Sequence, residues 1–129
     1  MILHPASIVL AIAAVFVTSA LAQKKTVEQK IEARSGEPIQ LGIFGHVTPD
    51  CTNKPFTVRV ANVARNGTIR RASTTIKKGR IPNCPDLVPA VVVFFYESKA
   101  GFTGNDSAAI EVKTDAGQIE RHEYDITVE

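Results

Sequence analysis

Val91-Val92-Val93-Phe94-Phe95-Tyr96 is the longest unbroken apolar run after the first two dozen residues. Six residues are too few for a helix of ordinary length, and branched and aromatic side chains favour a strand. With no polar residue to mark a solvent face, the run reads as a central strand buried on both faces, with Val93 and Phe95 in the core. Outward from it the pattern keeps a period of two. Toward the C-terminus, Ala108, Ile110 and Val112 alternate with Glu111 and Lys113. Asp115-Ala116-Gly117 turns the chain, and His122, Tyr124, Ile126 and Val128 share one face of a last strand. Toward the N-terminus, Ser73 to Lys77 and Thr68 to Arg71 read as two short polar β segments. Asn66-Gly67 reads as a tight turn, because both residues tolerate positive φ. Phe56, Val58 and Val60 alternate next, then Ile39, Leu41 and Ile43, then Val27, Gln29, Ile31 and Ala33. About seven short strands separated by Gly, Pro, Asn and Asp clusters predict an all-β sandwich or barrel.

The start of the chain is different. Residues 1–22 contain no Lys, Arg, Asp or Glu, and Ile8 to Val17 is continuously apolar. Ala20 and Ala22 are the small residues a signal peptidase reads, so cleavage is expected before Gln23. The usual basic residue near the start is missing; only the terminal amine and His4 supply positive charge. Ala6 to Ala22, interrupted by hydroxyl residues, is short for a membrane anchor, which needs about 20 apolar residues. The domain plan is a signal peptide over 1–22 and one domain over 23–129, in the periplasm or secreted, with no stable membrane span after cleavage. Of the 129 residues, 129 − 22 = 107 remain, one domain's worth.

An exported chain meets an oxidising compartment, where its two cysteines, Cys51 and Cys84, are expected to pair. The rival reading, a reactive or metal-bound thiol pair, lacks a CxxC spacing.

A resemblance enters with Tyr96-Glu97-Ser98-Lys99-Ala100-Gly101-Phe102-Thr103-Gly104-Asn105-Asp106-Ser107, followed by Ile110-Glu111-Val112, Asp115-Ala116-Gly117 and Ile126-Thr127-Val128. This block, over about residues 96–128, resembles the C-terminal half of bacterial cadherin-like and Ig-like modules. Asn66-Gly67-Thr68 resembles the turn that precedes it there. The resemblance implies an Ig-like antiparallel β-sandwich used in extracellular architecture and adhesion, and the chain's length suits such a sandwich. The chain departs from the pattern in holding one copy and in having Ala109 where an aromatic is common. It also lacks the paired acidic motifs of calcium-binding cadherins, so the resemblance implies no calcium site. The Gly101–Asp106 segment has its own physical logic: two glycines allow a tight turn, Phe102 is better buried than exposed, and Asp106 can accept hydrogen bonds from loop N–H groups.

Chemistry is sparse. His46 precedes Cys51 in a loop, and His122 lies on the apolar row of the last strand; together they fall short of the three or four ligands of a zinc site. No Ser sits in a Gly-x-Ser-x-Gly context, and Gly-x-Gly-x-x-Gly and phosphate loops are absent. No catalytic, metal or cofactor-binding residue is therefore assigned, and no cofactor is expected. Asn66-Gly67-Thr68 and Asn105-Asp106-Ser107 match glycosylation acceptors but read as turns.

Charge is the one feature above background. Between the cysteines stand Lys54, Arg59, Arg65, Arg70, Arg71, Lys77, Lys78 and Arg80, with no acidic residue, while residues 85–129 hold three basic and nine acidic ones. The plain reading is cross-strand neutralisation. The sharper one is an anion-binding face over the basic 54–80 segment, with Arg70, Arg71, Lys77, Lys78 and Arg80 as candidates. The expected function is an exported, non-enzymatic binding or structural module of the bacterial cell envelope, with an unidentified protein or an envelope polyanion as partner and no nucleic acid. The alternatives are a polyanion-binding envelope protein, or a small enzyme or inhibitor whose loops are not recognisable.

Overall fold

The computed structural model describes residues 24–129; the expected signal peptide at 1–22 lies outside the described residues. Seven strands follow one another with no helix among the described residues: β1 Lys24–Ala33, β2 Pro38–Phe44, β3 Phe56–Asn62, β4 Gly67–Thr75, β5 Ala90–Ser98, β6 Gly104–Thr114 and β7 Ile119–Val128. They form a four-stranded sheet in the order β1-β7-β6-β3 and a three-stranded sheet in the order β2-β5-β4. This is the expected all-β sandwich. Two boundaries differ from expectation. The two polar segments around residue 72 are one strand, β4, and Lys77 lies beyond its end. β6 begins at Gly104, inside the segment expected to turn.

Four of the five strand pairings are antiparallel, but β1 runs parallel to β7 from Lys24↔Ile119 to Ala33↔Val128. Parallel neighbours usually need a long crossover. Here the first and last strands are the pair, so no connection has to join them directly.

The core lies between the sheets. Leu41, Phe44, Phe94, Tyr96, Ile110, Tyr124, Ile126 and Val128 are buried in it, and Ile39, Phe56, Val58, Val60 and Ile69 pack against it half-buried. Phe44 meets Phe94 edge to face, with ring centroids 5.8 Å apart. β5 contributes Val92, Phe94 and Tyr96 to this core, not Val93 and Phe95. The expected parity was reversed because both rows of the run are apolar, so alternation carried no information. The other row faces outward, yet Val91 and Val93 are still buried; only Phe95 is half-exposed. Its register neighbours explain the difference. Val93 lies between Ile43 and Ala72, whereas Phe95 lies between Gln40 and Arg70.

The Asn66-Gly67 dipeptide is not a hairpin turn. It ends the crossover from β3 in one sheet to β4 in the other, and neither residue has positive φ. Gly67 is needed for close approach: a Cβ there would stand 2.6 Å from the Glu97 carbonyl oxygen and from the Tyr96 ring. Gly101, by contrast, does take a left-handed φ of 84° in the β5–β6 loop. The Phe102 amide closes that turn on the Lys99 carbonyl, and the Phe102 ring packs against the core as expected.

Candidate functional site

The two ends of the sandwich are fastened differently. At one end the carboxylate of Asp106, at the start of β6, accepts hydrogen bonds from the Arg65 and Asn66 amides at 3.1 and 3.0 Å and from the Ser107 amide at 2.9 Å. The buried Tyr96 hydroxyl donates to it at 2.7 Å. Burial alone would raise the Asp106 pKa, but Tyr96 and the three amides outweigh it and hold the carboxyl below its ordinary range. Burial, with the adjoining carboxylate, pushes the Tyr96 phenol up. Asp106 thus ties the β3–β4 crossover to β6 and β5. The expected bonds to loop amides are present, but the loop is 40 residues away in sequence.

At the other end, Cys51 in the β2–β3 loop and Cys84 in the β4–β5 loop form the expected disulfide, Cα to Cα 5.5 Å. Cys51 is the one non-glycine residue with positive φ among the described residues, at 61°. A short turn holds it, with Thr48 N–H donating to the Thr52 carbonyl at 3.0 Å and Cys51 N–H to the Thr48 carbonyl at 2.9 Å. His46 lies nearby, its Nδ1 buried without a hydrogen-bond partner and 3.6 Å from an Asp115 oxygen. His122 is packed on Phe44 in the sandwich and is 2.8 Å from a Glu120 oxygen. No group of three His, Cys, Asp or Glu side chains is placed to hold a metal among the described residues.

A cleft of about 620 Å³ crosses the outward face of the four-stranded sheet. Its floor is β6 at Ala108–Ala109; its walls carry Glu28 and Lys30 from β1, Arg121, Glu123 and Asp125 from β7, and Asn62 and Ser107. A second hollow shares Asn62, Ser107 and Asp125 and extends it toward Asn66 and Asn105. The methyl of Ala109 keeps the floor low. The walls are held in place by a charge network on the same face. Glu111 accepts from Arg59 and from Arg121, both at 3.0 Å, and Arg121 Nε donates to Glu123 at 2.9 Å. Burial would raise the Glu111 pKa, but the Arg121 and Arg59 hydrogen bonds hold it low. None of the cleft's side chains was singled out from the sequence as a binding residue. The only signal was Ala109, noted as small where an aromatic is common.

The candidate anion-binding residues are scattered. Arg70 faces outward from the three-stranded sheet and is ion-paired with Glu97. Arg71 points to the other face, its guanidinium 5.9 Å from the Phe94 ring centroid. Lys77, Lys78 and Arg80 lie in the β4–β5 loop, where Lys78 is 3.4 Å from Asp86. Arg59 belongs to the Glu111 network on the opposite sheet. Lys77 and Arg80 have no carboxylate within ion-pair distance among the described residues.

Compared with known proteins, the chain matches no family model, no curated protein and no solved structure.

Proposed function

We propose that this chain is an exported, non-enzymatic Ig-like module of the bacterial cell envelope that binds a polar partner through the outward cleft of its four-stranded sheet. The cleft carries the binding part of this reading. Its side chains offer carboxylates, an amide, a hydroxyl, an amine and a guanidinium, a set suited to hydrogen-bonded recognition. It contains no imidazole or thiol, the groups that most readily move a proton near neutral pH. The Ig-like reading is supported by connectivity. β2, β5 and β4 sit in the B-E-D order of an immunoglobulin sandwich, and β3, β6 and β7 in the C-F-G order. The disulfide departs from that pattern, since it joins two loops at one end instead of crossing between the sheets. Export is supported by the disulfide itself, which persists in oxidising compartments.

The test combines fractionation with capture. The mature chain should be recovered outside the cytoplasm with Gln23 at its N-terminus. Immobilised wild-type protein should retain a component of the solubilised envelope that an Asn62→Ala/Ser107→Ala variant loses. Cytoplasmic recovery, or equal retention by both baits, would count against the proposal.

A second reading, polyanion binding through the β4–β5 loop, is favoured by one observation: Lys77 and Arg80 stand beside Lys78 without carboxylate partners among the described residues.

A further inference from the structure

The sandwich has four edge strands, and one of them suits a copy of itself. β1 forms the outer edge of the four-stranded sheet, paired on one side only among the described residues. Its pairing with β7 runs without a register break from Lys24 to Ala33. Proteins usually blunt such an edge with a bulge, a proline or a short strand. β2 has Pro38 and a register break at Gln40/Gly42, and β3 has a break at Val60/Asn62. β4 carries Arg70 and Arg71 and no acidic residue, so a second copy would bring it no opposite charge. β1 has no bulge, proline or shortening, and its charges, Lys24, Lys25, Glu28, Lys30 and Glu32, are of both signs.

The charges of β1, Lys24-Lys25-Thr26-Val27-Glu28-Gln29-Lys30-Ile31-Glu32-Ala33, select one way of meeting itself. Two copies joined antiparallel about a two-fold axis must oppose residues that lie on the same face of the sheet, so the axis passes through a residue. Centred on Gln29, Glu28 of each copy opposes Lys30 of the other, Thr26 opposes Glu32, Val27 opposes Ile31 and Lys25 opposes Ala33. Centred on Glu28, that carboxylate faces itself. Centred on Lys30, the amine faces itself and Glu28 faces Glu32. Centred on Val27, Lys24 faces Lys30. Registers displaced further pair only half the strand or less. Like charges directly opposed destabilise a sheet and opposite charges support it, so the Gln29 register is the one long overlap with no like-charge pair between residues of the strand; Lys24 falls opposite Arg34, just past the strand end.

The faces agree with the charges. Val27 and Ile31 belong to the row turned toward the core and are only half-buried in the single chain, so pairing them across the axis would cover both. Glu28 and Lys30 lie on the outward row, and neither has an ion-pair partner within the chain among the described residues. We infer that this protein forms a symmetric homodimer by antiparallel addition of β1 to β1 about Gln29, joining two four-stranded sheets into one of eight strands. The two outward clefts, each walled by Glu28 and Lys30, then lie side by side across the axis.

Sedimentation equilibrium of the full chain, purified from exporting cells, tests the pairing. Wild type should show a monomer–dimer equilibrium. Glu28→Lys and Lys30→Glu should each weaken it by about tenfold, because each turns two attractive cross-strand pairs into two repulsive ones. The double variant Glu28→Lys/Lys30→Glu should restore it. Circular dichroism melts of each variant separate loss of dimer from loss of fold. As an independent readout, Gln29→Cys should cross-link to a dimer on mild oxidation, because directly opposed Cβ atoms stand about 4.5–5.5 Å apart. Thr57→Cys, on the far edge strand β3, should not. A monomer at every concentration, a double variant no better than the single ones, or equal cross-linking at 29 and 57 would overturn the inference.

Discussion

The two ends of the sandwich solve one problem by opposite means. Each must fasten a connection that leaves one sheet for the other or loops away from its strands. At the Asp106 end a single carboxylate collects three backbone amides and the Tyr96 hydroxyl, and so clamps the β3–β4 crossover. At the other end Cys51–Cys84 staples the β2–β3 loop to the β4–β5 loop. Hydrogen bonds suffice where the connection is short and partly buried amides can be gathered round one acceptor. A covalent bond serves where both connections are long, exposed and polar. One end should therefore respond to acid and the other to reductant.

The largest expected effect breaks the polar end. Asp106→Ala leaves four donors without their acceptor, each costing about 1–3 kcal/mol when buried. Denaturant unfolding should show a loss of at least about 4 kcal/mol. A loss below about 1 kcal/mol would mean that water replaces the carboxylate freely and the clamp is not structural.

Next is the covalent end. Closing a loop over a sequence separation of 33 stabilises by roughly 3.5–4 kcal/mol in the chain-entropy account. The Cys51→Ser/Cys84→Ser variant should lose about 3 kcal/mol, and reduction of the wild type about the same. Free thiols titrated in the exported, unreduced protein would contradict the pairing.

The acid response sharpens the contrast. The Asp106 carboxyl is depressed in the folded state relative to an ordinary value of 3.8. Its contribution is therefore fully present above the unfolded-state pKa, and is lost as pH falls below about 4 and through the folded pKa. Stability measured from pH 6 down to pH 2 should fall steeply for wild type and for the disulfide-free variant. It should fall less for Asp106→Asn.

A smaller effect is expected at Phe102. Its ring packs half-buried against the core beside the Asp106 end, so Phe102→Ala should cost about 2 kcal/mol, less than the 3–5 kcal/mol typical of a fully buried Phe. Binding should survive in the folded fraction. Unchanged stability with lost binding would make Phe102 a ligand contact.

The smallest effect concerns the disulfide end's basic loop. If Lys77, Lys78 and Arg80 act together on a polyanion, the protein should stay on a heparin column above physiological salt, where screening already reaches ~8 Å. Lys78→Ser/Arg80→Ser should then elute earlier. Elution of wild type below that salt would leave the loop as a solvated surface.

Much of the fold could be read from order along the chain. The period-two rows at Val27–Ala33, Phe56–Val60, Ala108–Val112 and His122–Val128 each lie within one of the seven strands, because alternation reports which face of a strand meets water; in the Ile39–Ile43 row the register break at Gln40/Gly42 turns Ile43 out to solvent and puts Phe44 in the core instead. Two cysteines permit one intramolecular pairing, and a Phe between two glycines has little use except as an anchor. Tertiary structure decided what alternation leaves silent. In Val91–Tyr96 both rows are apolar, so only the neighbours on β2 and β4 and the opposite sheet chose Val92, Phe94 and Tyr96 for the core. Asn66-Gly67 has the composition of a turn, but the Tyr96 ring and Glu97 carbonyl above Gly67 show a site of close packing. The parallel β1–β7 pairing, the amides around Asp106 and the cleft over Ala109 join residues far apart in sequence. Local pattern records the environment of each residue; which distant residues supply that environment is set when the two sheets close on one another.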